Sequence, residues 1–280
     1  MKERLTDYRV IKAICREYGF RFKKGLGQNF LTDGGVIEDI ITGSGIDEKT
    51  SVIEIGPGFG ALTQGLLEKA GSVTAIEVDK TLIPILQGIF SDSENLKIVE
   101  GDVLSLDLND HITGEKTAVC ANLPYYITTP VISYLLENRF PLSSVTVMVQ
   151  KEVAARMTAS PGTKDYGAFT CLVDFYSDPE IIRYVPASSF TPEPKVDSAV
   201  VIMRIPEKPK YSPNDREKYR AVVKAAFAQR RKTLLNSLNA GGRFGEKKRV
   251  EEVLLKSGID PSIRGECLSN DDFIKIADAL

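Results

Sequence analysis

Residues 120–130 read CANLPYYITTP and follow directly on a short apolar run. Asn122 brings an amide, Pro124 fixes a backbone angle and Tyr125 offers a flat ring. Polar, stiff and aromatic groups pack poorly at the end of a buried strand. They suit a place where something flat and nitrogen-bearing is held. Upstream, EIGPGFGALT (54–63) leaves another apolar run and opens a helix-like segment. Gly56, Gly58 and Gly60 permit a tight turn and the approach of a ligand without a Cβ in the way. The helix start behind them adds N–H groups suited to a carboxylate or phosphate. No G-x-x-x-x-G-K-[ST] occurs, which excludes a P-loop, and the G-x-G-x-G spacing leans away from NAD.

Two acids extend the pattern. Glu77 ends the next apolar run, 21 residues after Gly56, where a carboxylate can accept from both hydroxyls of a ribose. Asp102 ends the third run, in EGDVL, and can accept from the amino group of an adenine ring. A lone acid at a strand end is usually a turn former. Two of them behind a glycine loop read as an adenosine site at the carboxyl edge of a sheet.

Other chemistries lack material. The chain has one histidine, His111, and four cysteines, Cys15, Cys120, Cys171 and Cys267, too far apart for a zinc knuckle or redox pair. An imidazole-based metal site or a Ser–His nucleophile is therefore not expected, and no metal is assigned. No apolar run approaches the ~18 residues of a membrane span, and MKERLTDYRV lacks a signal-peptide core, so a cytoplasmic location is expected. The net charge of −2 hides an asymmetry. Residues 1–30 carry 8 Lys/Arg against 3 Asp/Glu, 31–205 carry 12 against 24, 206–249 carry 13 against 4, and 250–280 carry 3 against 7. Basic blocks flanking an acidic middle suggest a polyanion partner, although solvated helix faces would give the same counts.

The elements that must position these residues follow from periodicity. Strands are expected at 51–56, 72–79, 96–102, 117–123 and 144–150, then near 179–185 and at 197–205, with helices at 61–69, 80–90 and 129–138 between the early strands. Near-continuous apolar strands alternating with helices argue for an α/β fold with a mostly parallel, Rossmann-like sheet, closed by an antiparallel hairpin of the two late strands. PEKPKYSP (206–213) reads as a linker, and 214–239 and 246–257 read as helices broken at NAGGRFG. This divides the chain into residues 1–207 and a small α-helical domain, 208–280.

The ordered set GPGFG, IEVD, GD and NLPY resembles the class I methyltransferases that use S-adenosylmethionine to modify the amino group of adenine. GQNFLTD (27–33), VQKEVAARM (149–157), YGAFT (166–170), FTPEPKVDSAVV (190–201) and AFAQRRKTLLNSL (226–238) extend the likeness over nearly the whole chain. Together they resemble the KsgA/RsmA family of bacterial small-subunit rRNA adenine dimethyltransferases. The resemblance implies that Asn29 and the backbone of Leu31 lie over the methionine part of the cofactor, and that Gly56 approaches its carboxylate with Gly58 in the same loop. It also implies that Glu77 takes the ribose, Asp102 the adenine, and that Asn122 lies near both cofactor and target base.

On that reading Asn122 and the carbonyl of Leu123 accept the two hydrogens of the target amine, and Pro124 helps to aim the carbonyl. Tyr125 supplies a stacking face. Phe190 is a candidate for the other face, with core packing as its alternative; Tyr126 is expected in the core and receives no role. The resemblance further implies two adjacent adenines in the 3′-terminal hairpin loop of 16S rRNA as substrate, dimethylated in an immature 30S particle by a monomer without an obligate protein partner. The segments RFKKGLGQ and the helix QRRKTL would supply cationic surfaces on either side of the cleft. An Erm-type 23S rRNA methyltransferase and a non-catalytic ribosome assembly factor are the alternatives.

Overall fold

In the computed structural model, residues 4–22 and 28–280 are described. Lys23 and Lys24 of the basic N-terminal stretch lie outside the described residues. The elements run α1 (Tyr8–Glu17), β1 (Phe30–Leu31), α2 (Gly34–Ser44), β2 (Thr50–Ile55), α3 (Ala61–Leu67), β3 (Ser72–Glu77), α4 (Ile83–Ile89), β4 (Leu96–Glu100), β5 (Lys116–Asn122), α5 (Thr128–Glu137), β6 (Ser144–Gln150) and α6 (Lys151–Met157). There follow α7 (Ala168–Tyr176), β7 (Asp178–Val185), β8 (Phe190–Thr191), β9 (Ser198–Arg204), α8 (Arg216–Ala228), α9 (Leu234–Asn239), α10 (Lys247–Lys256) and α11 (Asn270–Ala279).

Seven strands form one sheet in the order β4-β3-β2-β5-β6-β9-β7. The first five are parallel, and β9 lies antiparallel between β6 and β7, which makes the expected hairpin. The central strands β5, β6 and β9 are buried on both faces, as their unbroken apolar runs require. The edge strands β4 and β7 are half-exposed, and β7 carries a register shift between Ile181 and Arg183 that interrupts a free edge. One apolar layer joins α2 and α3 to the sheet through Val36, Ile40, Leu66, Cys120 and Met148. A second joins α1 and α4 through Ile11, Phe59, Ile85 and Leu86.

From β2 the chain builds outward to β3 and β4, then returns to start β5 on the other side of β2. The carboxyl ends of β2 and β5 thus flank a switch point, where open α/β sheets hold ligands in a crevice. Gly56 follows β2 and Asn122 ends β5; a Cβ on Gly56 would have the Asn122 carbonyl as its nearest neighbour, at 4.0 Å.

The compact units do not follow a single cut near residue 208. One comprises Met1–Ala154 and Asp178–Ile205, the other Ala155–Ser177 and Pro206–Leu280. The 155–177 stretch belongs with the helices because α7 buries Cys171 and Phe175 among Tyr219, Val222, Leu234 and Phe273. Asp174 of α7 accepts from Tyr211 at 2.9 Å and from Lys210 at 2.8 Å, so the expected linker is itself tied down. Asn270, 2% exposed, donates to Asp174 and to the Cys171 carbonyl and accepts from the Tyr219 hydroxyl. Asn270→Ala is expected to leave the buried Tyr219 hydroxyl without its partner, while Asp174 keeps Lys210 and Tyr211, and to lower stability by about 1–3 kcal/mol. Urea denaturation measures this, and a change below about 0.5 kcal/mol would show that the network contributes little.

A second departure concerns QRRKTL. Helix α8 ends at Ala228; Gln229–Lys232 form a turn, and Thr233 caps α9 by accepting from the Asn236 N–H. The Leu234 and Leu235 N–H groups donate to the Ile263 and Pro261 carbonyls, satisfying donors that a continuous helix would have directed along its own axis.

Candidate active site

One cavity at the switch point is lined by all but one of the residues singled out from the sequence for a site role: Asn29, Leu31, Gly56, Gly58, Glu77, Asp102, Asn122, Leu123, Pro124, Tyr125 and Phe190. Gly60 is not among them. Its φ of +87° completes the turn, and a Cβ there would lie 2.4 Å from the Phe90 ring, so this glycine serves packing rather than ligand approach. Gly58, at φ +61°, similarly leaves room for Phe30, whose ring is 2.8 Å from the position of a Cβ.

Glu77 is 5% exposed and ends β3. Its Oε1 accepts from the Asp79 N–H at 2.8 Å and its Oε2 from the Gly58 N–H at 3.3 Å, which ties the acid to the glycine loop. Burial raises its pKa, against the lowering effect of these two bonds. Each carboxylate oxygen retains a lone pair for a ligand. Asp102 lies beyond the last residue of β4, exposed, with Oδ1 accepting from the Leu104 N–H at 3.0 Å.

The Asn122 side chain is oriented by its partner. Its amide group donates to the Asn29 carbonyl at 3.3 Å. Because a carbonyl only accepts, the NH₂ end must face Asn29, and Oδ1 remains as the acceptor. Tyr125 is fixed by a 2.8 Å bond between its hydroxyl and that of Ser198, which is fully buried at the start of β9. Burial raises the Tyr125 pKa.

Strands β1 and β8 pair antiparallel, Leu31 opposite Phe190. Thr32 N–H donates to the Ser189 carbonyl at 2.8 Å, and bonded and non-bonded pairs alternate along such a ladder. Leu31 therefore directs its own N–H and C=O away from β8 and keeps them available. Phe190 is 4% exposed and belongs to the apolar layer around α2, while also lining the cavity. Its burial is what the core-packing alternative requires, and its place in the cavity wall leaves the stacking role to be tested.

Three lining or supporting groups escaped the sequence reading: Gln28, which donates to Asp79 at 2.9 Å, Ser198, and Glu54. Glu54 stands inside the quoted EIGPGFG, but nothing in its spacing separates it from a turn acid. It is 1% exposed, accepts from the Thr63 hydroxyl at 2.6 Å, and burial pushes its pKa from 4.5 up to about 8. The folded chain thus keeps a proton that the unfolded chain gives up above pH 4.5. Stability from this group is full below that pH and is lost as pH rises towards 8. Glu54→Gln preserves an acceptor for Thr63. It is expected to flatten this slope and to gain on the order of a few kcal/mol over the parent at alkaline pH. Urea denaturation at mildly acid and mildly alkaline pH reads the difference; equal slopes in parent and variant would contradict it.

Among the described residues, no group of three or more His, Cys, Asp or Glu is arranged to hold a metal ion, and no helix is long and apolar enough to cross a membrane.

The strand order, the reversed β9 and the glycine loop opening on the switch point define a Rossmann-like class I methyltransferase. The model of the ribosomal RNA adenine dimethylase family matches residues 19–280. The chain is 45% identical over 282 residues to the ribosomal RNA small subunit methyltransferase A of Alkaliphilus oremlandii, covering 99% of this chain and 98% of that one. It is 43% identical to the protein of that name from Clostridioides difficile, covering 99% and 97%. A dimethyladenosine transferase of Plasmodium falciparum superposes with a TM-score of 0.75 at 28% identity, over 88% of this chain and 95% of that one. The 23S rRNA methyltransferase ErmE superposes with a TM-score of 0.69 at 27% identity, over 90% and 99%. The chain belongs to the ribosomal RNA adenine dimethylase family.

Proposed function

We propose that the cavity binds S-adenosylmethionine and that the chain dimethylates the exocyclic amines of two adjacent adenosines in the 3′-terminal hairpin loop of 16S rRNA, in an immature 30S particle. The observation that carries this reading is the convergence of Glu77, Asp102 and the Asn122–Tyr125 corner on one cavity beside the glycine loop. Glu77 holds the ribose and Asp102 the adenine of the cofactor. The glycine loop admits the methionine end beneath Asn29 and the Leu31 backbone. When bound, the cofactor supplies a methyl group on a positively charged sulfur.

The chain's own residues prepare the nucleophile. An adenine amine is weak because its lone pair is spread into the ring. Asn122 Oδ1, left free to accept by the bond to Asn29, takes one amine hydrogen, and the Leu123 carbonyl takes the other. Both bonds strengthen as the nitrogen becomes tetrahedral and gains charge, so they favour the transition state over the ground state. No strong base is required, since the product ammonium is acidic and sheds its proton. Tyr125, tethered to Ser198, stacks on one face of the base and Phe190 closes the other. After one transfer an N–H remains, and the same acceptors can serve again.

The second unit contributes rRNA binding through residues 208–280. Arg231, Lys232, Arg243, Lys247 and Lys248 are exposed there and form no ion pair among the described residues. Such cations release counterions from phosphates, and binding weakens with salt. The protein acts as a monomer in the cytoplasm. Small-subunit relatives at 43% to 47% identity support 16S over 23S rRNA, against 27% for ErmE. Incubation with labelled cofactor and separate, unmodified 30S and 50S particles tests this. Label is expected in 16S rRNA; label in 23S rRNA would support the Erm-type reading, and binding without label a non-catalytic assembly factor.

A further inference from the structure

We propose a second nucleobase subsite outside the methyl-transfer pocket, with the ring of Tyr126 as its platform. Tyr126 is not the core residue that its neighbours suggest: it is 60% exposed, yet lines the mouth of the cavity. The cause is a β-turn. The Ile127 N–H donates to the Pro124 carbonyl at 3.1 Å, which puts Tyr125 and Tyr126 at the two central positions, where successive side chains diverge. Tyr125 turns inward and bonds Ser198. Tyr126 turns outward and takes part in no hydrogen bond or ring contact among the described residues.

The turn fixes the backbone that carries the ring. Pro124 fixes its entry, the Thr128 hydroxyl donates to the Pro124 carbonyl at 3.4 Å, and α5 begins directly behind. An exposed aromatic face carried on a fixed turn beside a pocket fits one ligand class well, the base of a polynucleotide. A base drawn out of its stack leaves the adjacent base with an uncovered face. Tyr126 is placed to cover it. Stacking tolerates any base, so this subsite supplies affinity and positioning rather than sequence choice. The inference rests on the reading of the chain as an RNA adenine methyltransferase. With two adjacent targets, the adenosine outside the pocket is the natural occupant, before or after its own methylation, because methyl groups on the amine leave the ring face intact.

The test uses full-length protein, its Tyr126→Ala and Tyr126→Phe variants, unmodified 30S particles, and particles carrying an abasic nucleotide beside the methylated adenosine. Tyr126→Ala is expected to raise the KM for the particle about tenfold, with cofactor Kd unchanged by calorimetry, and Tyr126→Phe to restore it. The abasic particle should cost the parent about tenfold and the alanine variant little more, since both changes remove one stack. An unchanged KM in Tyr126→Ala, or losses that simply multiply, would overturn the subsite. Absence of transfer to 30S particles by the parent protein would overturn the underlying reading instead.

Discussion

Replacing Asn122 with alanine is expected to slow methyl transfer about 100- to 1,000-fold while the chain stays folded. The magnitude is that of losing one preorganised hydrogen bond to charge that develops in the transition state. Preorganisation here is visible in the bond from the Asn122 amide to the Asn29 carbonyl, which spends the donor end and leaves the acceptor. Asn122→Asp provides a second reading. It keeps an acceptor but sets a carboxylate against the Asn29 carbonyl, so activity is expected between that of parent and alanine variant. Single-turnover rates measured with saturating cofactor separate chemistry from binding, and circular dichroism checks the fold. Normal turnover by Asn122→Ala would remove the mechanism.

Glu77→Ala is expected to weaken cofactor binding about a hundredfold, the scale of losing two hydrogen bonds to a charged acceptor. Part of the effect passes through the loop, because Glu77 also accepts from the Gly58 N–H, and that loop forms one wall of the cavity. Glu77→Gln divides the two contributions: its single carbonyl oxygen can still accept, but without the charge, and it should fall between parent and alanine. Calorimetric titration with S-adenosylhomocysteine reads all three proteins, and equal affinity throughout would argue against ribose binding by this residue.

The sheet was legible because its central strands are buried on both faces, so SVTVMV and SAVVIM stand out as unbroken apolar runs. The strand ends were legible for the same reason: polar residues at the ends of such runs mark the crevice. What escaped was non-local. Residues 155–177 look like part of the first domain by position, and only the contacts of Cys171, Phe175 and Asp174 assign them to the helical unit. The Tyr125–Ser198 bond and the Leu31–Phe190 pairing join positions far apart in the chain, and no local pattern announces them. Tyr126 was misread because an aromatic beside an apolar strand resembles core, whereas the turn at Pro124 sends it outward. QRRK looked helical by composition, but its turn is set by the capping hydroxyl of Thr233 and by carbonyls near Pro261.

The most direct measurement is a crystal structure after soaking with S-adenosylhomocysteine. The ribose is expected against Glu77, the adenine at Asp102, and the sulfur facing the corner formed by Asn122, Leu123, Pro124 and Tyr125. A ligand bound elsewhere, or sulfur directed away from that corner, would contradict the assignment of this cavity as the place where methyl transfer occurs.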